Sequence, residues 1–450
     1  MQQRKSLPRF GAAAALMAIV ACLSALAPLA LFGPFARAQV APSTTPPDGL
    51  RSNPPRVHAI VNARIVPAPG EVIERGTVVV RDGVIEAVGA DVIPPADARV
   101  WDGAGKTVYA GFIDAYSELP ADASKADPAL AELMGAKYWN AQVVPQVSGA
   151  RVYKPSPDAN KAARGQGLVL RLVAPSYGIV KGTGAVVTTG DDAGDRAIVS
   201  AAATWHAKLT PGGRRGDDGA GYPTSPMGAY ALVRQALYDA QWYARAQAAA
   251  SADASLPRPE ANDALAALVR LADAKTPLVI DAGDELYALR ATKIAEEFRL
   301  PVIVRGGGDE YRLLDALART GAPVIVPLNF PKPPNVTTPE LARAATLETL
   351  MDWDLAPENP ARLDRAGVKI AFSATGLTER TPFLGQVRKA VERGGLDKTA
   401  ALRALTTTPA QLLGVANRFG TIAAGKSASL VVTSGDVFDG KTKVLDVWVD

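Results

Sequence analysis

The stretch TPLVIDAGDELYALRATKIAEEF, residues 276–298, carries the pattern on which the reading of the fold rests. Its first part, TPLVI, is a short apolar run suited to a buried strand. Its second part, DELYALRATKIAEEF, mixes apolar and charged residues at helical spacing. The same unit recurs downstream. LPVIV (300–304) precedes EYRLLDALART, APVIVP (322–327) precedes a long loop and PELARAATLETLMDW, and VKIAF (368–372) precedes FLGQVRKAVERGG. Short apolar β-branched runs, each followed by an amphipathic helix, imply a parallel sheet with helices outside it. Several such units in series favour a barrel over separate small domains. LDKTAALRALTTTPAQLLGV then supplies two short helices, with Pro409 in a first turn that tolerates it.

Both flanks of this region read as β. VHAIVNARIVPAPG is a strand with a Pro/Gly stop, and TVVVRDGVIEAVG is two strands joined by Asp82-Gly83, a two-residue hairpin signal. ARVWDGAGKTVYAGFID adds two strands around a glycine turn, and GTIAAGKSASLVVTSGD and KVLDVWVD return to β at the far end. Neither group alone closes a core, so the two ends are expected to pair with each other. Between 140 and 260, GLVLRLVAPSYGIVKGTGAVVTT suggests strands and turns, GGRRGDDGAGYPTSP an exposed loop, and MGAYALVRQALYDAQWYARAQAAA a helix. No internal repeat of fixed period is present.

The first 38 residues read as a signal peptide. Arg4, Lys5 and Arg9 precede an apolar run, and Ala36 and Ala38 form an A-x-A cleavage pattern. Cleavage after Ala38 would leave 39–56 as a linker rich in Pro and Ser and export the protein to the periplasm or beyond. The alternative reads IVAC as a lipoprotein signal, with Cys22 as a membrane anchor. The segment carries Arg4, Lys5, Arg9 and Arg37 and no acid, so its removal brings the formal charge from +4 to zero. Nucleic acid is therefore not an expected partner. Cys22 is the only cysteine, which excludes disulfides, zinc–thiolate sites and a cysteine nucleophile from the mature chain.

GFID at 111–114, the β/α series, LTTTPAQLLGV and GTIAAGKSASLVV together resemble the metal-dependent amidohydrolase superfamily, of the imidazolonepropionase-like kind. The resemblance spans about 57–450. It implies a distorted (β/α)8 TIM barrel over 109–418 and a small β-sandwich, a composite domain built from 57–108 plus 419–450. It also implies hydrolysis of carbon–nitrogen bonds other than peptide bonds, with zinc or another divalent metal.

That family writes its first barrel strand as G-x-I-D-x-H-x-H, with both histidines aimed into the barrel mouth. Here those two positions are Tyr116 and Glu118. The later ligand positions fall on Asp281, on Arg305 or Gly306, and on Thr375; the fourth-strand lysine or glutamate has no evident counterpart. A catalytic zinc needs about three protein donors. Tyr116 is a poor ligand at neutral pH, Arg305 would repel a cation, and Glu118 and Asp281 alone are weak metal candidates. The candidate pocket is thus Tyr116, Glu118, Asp281, Arg305 and Thr375, with no cofactor expected.

Other features have plain readings. His58 falls on a strand of the small domain, and His206 in ATWHAKL is a lone histidine with a minor claim to acid–base work. VKGTGAVV and RGGGDE match neither the dinucleotide fingerprint nor the P-loop and read as tight turns. Asp284 and Glu285 suit a helix start. Two functions remain open. One is a degenerate amidohydrolase that binds a small-molecule ligand or supports a partner, such as an active amidohydrolase or a C-terminal second domain. The other is a hydrolase with an unusual carboxylate-based metal site.

Overall fold

A computed structural model describes residues 56–119, 137–191, 194–211, 222–377 and 382–449. The expected signal peptide and nearly all of the expected linker lie outside them. Among the described residues no helix is long and apolar enough to cross a membrane.

Two sheets organise the chain. The first is seven-stranded and takes strands from both flanks. Strand β1 (Val57–Val66) pairs antiparallel with β2 (Ile73–Arg81), which pairs antiparallel with β3 (Val84–Gly89). Asp82 and Gly83 join them with φ of 49° and 75°, the left-handed pair that matches strand twist in a two-residue hairpin. On its other side β1 runs parallel to β4 (Arg99–Asp102) and β5 (Thr107–Ala110). Strands β14 (Leu430–Thr433) and β15 (Val444–Trp448) extend the sheet beyond β5. The pairing buries Ile60, Ile65, Val78 and Val108 from one flank against Leu430 and Val432 from the other.

The second sheet has eight strands in simple sequence order. They are β6 (Phe112–Glu118), β7 (Leu168–Ala174), β8 (Val180–Thr188), β9 (Ile198–Lys208), β10 (Leu278–Asp281), β11 (Val302–Arg305), β12 (Val324–Pro327) and β13 (Ile370–Ser373). From β9 to β13 every pairing is parallel, and β10, β12 and β13 are buried along their whole length, as strands covered on both faces must be. The departure from a wholly parallel sheet is β8, antiparallel to both neighbours. The fold is α/β with a nearly closed, TIM-like barrel.

Side chains bring its two edges together. The Asp114 carboxylate on β6 accepts from the backbone N–H of Ala374 just after β13, at 3.1 Å, and from that of Tyr116. Ser373 and Thr375 donate their hydroxyls to the Tyr116 carbonyl at 2.6 and 2.8 Å. Burial lifts the Asp114 carboxyl from 3.8 to about 6, and the two backbone N–H groups and the Arg171 charge offset only part of that rise.

The sign of the pH dependence follows. Between those two values the folded state holds more protons than the unfolded one, so this group makes stability fall as pH rises from about 4 to 6. Burying the anion therefore costs about 1–3 kcal/mol at pH 8. Asp114→Asn keeps an oxygen acceptor without the charge. About half of that cost is already present at pH 5, so urea denaturation at pH 5 and pH 8 should show the variant gaining on the wild type by about 1–1.5 kcal/mol at the higher pH. An equal offset at both pH values would contradict the assignment.

Candidate functional site

The C-terminal ends of the barrel strands carry the site. Residues two apart on a strand share a face, and on β6 this aligns Asp114, Tyr116 and Glu118. Tyr116 is buried within the barrel, and its phenol donates to Glu118 Oε1 at 2.9 Å. The same oxygen accepts from Lys181 Nζ on β8 at 3.2 Å. Asp281 ends β10 beside Arg305 at the end of β11, and Arg305 Nη1 donates to Asp281 Oδ1 at 2.8 Å. The Arg305 guanidinium also lies 5.5 Å from the Tyr116 ring centroid, a cation–π contact that links the two ion pairs. Thr375 closes the set through its bond to the Tyr116 carbonyl. All five candidate residues read from the sequence thus come together, Gly306 having been the alternative to Arg305.

Electrostatics explain the arrangement. Burial alone would raise the Glu118 carboxyl, but the Lys181 charge and the bonds from Tyr116 and Lys181 hold it below its ordinary value. Burial pulls the Lys181 ammonium down despite Glu118 and Asp281, because its side chain is 1% exposed whereas that of Glu118 is 38% exposed. For Arg305 the balance runs the other way: burial lowers it, but Asp281, Tyr116 and Glu118 outweigh that and raise it. Tyr116 is pushed well above its ordinary value by burial and then by the charges of Glu118 and Asp281. The mouth therefore holds two carboxylates, two cations and a neutral phenol.

Lys181 was not evident in the sequence as a further member, and His206 had only a minor claim there. Lys181 belongs to VKGTGAVV, whose glycines suggest tight turns; the structure places them inside β8 instead. The segment 143–148 lies along the first half of this strand, with Val144 N–H donating to Val180 O and Thr183 N–H to Val147 O. A Cβ on Gly182 would sit 1.7 Å from the Val147 carbonyl oxygen, and one on Gly184 would sit 2.3 Å from His206 Nε2. The glycines thus mark close approach of neighbouring groups. His206 proves to lie within the barrel on β9, fully buried, with Nε2 2.9 Å from Thr204 Oγ1 and its ring 5.7 Å from that of Tyr116. Burial and then Lys181 hold it well below its ordinary value, so it is neutral. Lys208 at the end of β9 is paired in register with Asp281.

The plain readings fare as follows. His58 accepts from Trp101 Nε1 in the first sheet. Asp284 caps the helix Glu285–Phe298 by accepting from Tyr287 N–H. In RGGGDE, which begins with Arg305, Glu310 is fully buried and bonds to Asn359 and to the Gly308 N–H, so the part after Arg305 is structural.

A divalent metal does not fit the residues present. Among the described residues no group of three or more histidine, cysteine, aspartate or glutamate side chains could hold one. Each of the two carboxylates at the mouth already faces a cation within 3.2 Å. A metal ion would have to displace those cations or lie beside them, and two oxygen donors repay neither cost.

Comparisons with known proteins bear on the fold. A model of the amidohydrolase family matches residues 359–450. A crystal structure of an amidohydrolase from Thermotoga maritima MSB8 is 26% identical, with a TM-score of 0.69, over 87% of this chain and 97% of that one. The chain is similar to amidohydrolases in sequence over its last fifth and in fold over most of its length. A prolidase complexed with N-methylphosphonate-L-proline (18% identity, TM-score 0.50, 87% and 98% covered) and molinate hydrolase (16%, 0.50, 88% and 93%) share the fold. No match was found among curated proteins. In the eight-stranded barrel sheet, β6, β10, β11 and β13 are the first, fifth, sixth and eighth strands. Tyr116, Glu118, Asp281, Arg305 and Thr375 stand on or just beyond those four strands.

Proposed function

We propose that this amidohydrolase-type chain does not act alone as a metal hydrolase, and that its barrel binds a small molecule or supports a catalytically intact amidohydrolase partner or second domain. The observation that carries this reading is the pairing of Glu118 with Lys181 and of Asp281 with Arg305 at the strand ends. Fixed side-chain cations take up the negative charge that a metal would otherwise neutralise. A buried ammonium and guanidinium supply no Lewis acid and no bound water of lowered pKa, and neutral His206 is fully buried with its Nε2 against the Thr204 hydroxyl.

The reading includes a composite small domain, 57–108 with 419–450, built as a sandwich against a barrel of 109–418. It also includes export, with Ala38 as the last residue of a cleaved signal. N-terminal sequencing of the secreted protein should begin at Gln39; a lipidated Cys22 would show the anchored form instead.

The functional test is hydrolysis of N-acyl amino acids and dipeptides with zinc, manganese or magnesium added. No rate above that of buffer is expected. Turnover that requires a metal and vanishes in a Glu118→Gln, Asp281→Asn double variant would overturn the proposal and establish a carboxylate-based centre.

A further inference from the structure

Helices Pro339–Ala344 and Leu347–Leu355 lie on the long connection from β12 to β13, and neither buries a single residue. The whole run 331–351 contains no buried residue. Thr338 and Thr346 cap the two helices by accepting from the N–H groups of Leu341 and Thr349. A cap contributes only about 1 kcal/mol, and helices of six and nine residues are marginal without packing. In a globular protein that packing comes from an apolar face turned inward.

The second helix has its faces the other way round. Glu348 and Asp352 are four apart and share one face. Both pair with Arg312, Glu348 at 3.5 Å, and Asp352 also accepts from the Tyr311 hydroxyl at 3.0 Å. The polar face is thus the anchored one. Leu347, Leu350 and Met351 have the i, i+3, i+4 spacing of a single face and are 73%, 38% and 47% exposed. Asp354, seven residues on from Leu347, is already paired with Arg393. Val336 and Leu341 add two more exposed apolar side chains ahead of this helix. An apolar stripe turned to solvent on an anchored helix marks a contact surface.

Charge decides what covers it. The run 331–351 carries Lys332 and Arg343 against Glu340 and Glu348, a net charge of zero. Glu340 and Arg343 are exposed on the first helix, and neither has an ion-pair partner among the described residues. Opposite charges three residues apart are self-complementary, because about a twofold axis each meets the other's counterpart. A strongly basic or acidic partner, or an anionic lipid surface, would instead meet a like charge in this run. The 21 residues of 331–351 also fall within the roughly 20–30 that one side of a standard interface uses.

From these observations we infer that the chain forms a homodimer in which 331–351 packs against its own copy about a twofold axis. The stripes of Leu347, Leu350 and Met351 face each other, and Glu340 of each copy pairs with Arg343 of the other. This contact uses none of the five candidate residues at the barrel mouth.

The experiment is sedimentation velocity of the purified full chain, which should be a dimer at micromolar concentrations. A Leu347→Ser, Met351→Ser variant should dissociate at least tenfold more readily, and because both side chains are exposed its circular dichroism spectrum should be unchanged. Glu340→Arg alone and Arg343→Glu alone should each weaken the dimer about tenfold, since each sets like charges opposite one another. The double swap should return to within threefold of the wild-type dissociation constant. A wild-type chain that stays monomeric, a dimer that the Leu347→Ser, Met351→Ser variant leaves equally strong, or a double swap as weak as the single variants would each overturn the inference.

Discussion

Arg305→Met is expected to destabilise the fold by about 3–5 kcal/mol, because it leaves the Asp281 carboxylate buried without its cation. The Asp281 side chain is 9% exposed and that of Arg305 17%, so water reaches neither group well enough to replace the lost partner. Adding Asp281→Leu should recover most of the loss. Both charges are then gone, and a buried ion pair replaced as a unit by apolar groups is close to neutral. Chemical denaturation of wild type, both single variants and the double variant gives the coupling directly. Additive losses would mean that the two side chains do not act as a pair.

A second large effect is expected at Gly182. Its added Cβ in Gly182→Ala would lie 1.7 Å from a backbone oxygen, Val147 O, and 2.9 Å from Val147 Cα. Neither atom can rotate away as a side chain could. The segment 143–148 must shift, breaking the Thr183 N–H to Val147 O bond and loosening the strand that carries Lys181. The expected loss is about 3 kcal/mol, at the upper end for overpacking because the obstacle is main chain. Gly165→Ala is the control, since a Cβ there meets nothing within 4 Å among the described residues. Equal stability of the two variants would show that 143–148 yields without cost.

The parts of the fold legible in the sequence were those with strong local signals. The TPLVI-type runs became β10 to β13 because short β-branched segments between amphipathic helices have few other solutions. Asp82-Gly83 gave its hairpin because few residue pairs take two left-handed conformations in succession. Asp281 and Arg305 could be placed because each ends such a run. The antiparallel β8 and its neighbour β9 were harder for identifiable reasons. In IVSAAATWHAK the first six residues of β9 are half-buried or exposed and only Trp205–Ala207 and their immediate neighbour Thr204 are buried, so no clean alternation marks the strand. Lys181 hid among glycines that normally signal turns. No spacing rule shows that Asp114, Ser373 and Thr375 join the two edges, because those bonds connect residues about 260 apart, such as Ala374 and Asp114.

At the centre of this reading lies the claim that side-chain cations, and no metal ion, balance Glu118 and Asp281. Elemental analysis after metal-free purification, followed by calorimetric titration with zinc, manganese and magnesium, tests it most directly. Well under one metal per chain is expected, with no saturable binding at micromolar concentrations and no change in the Glu118→Gln, Asp281→Asn double variant. Near-stoichiometric metal that is lost in that double variant would contradict it.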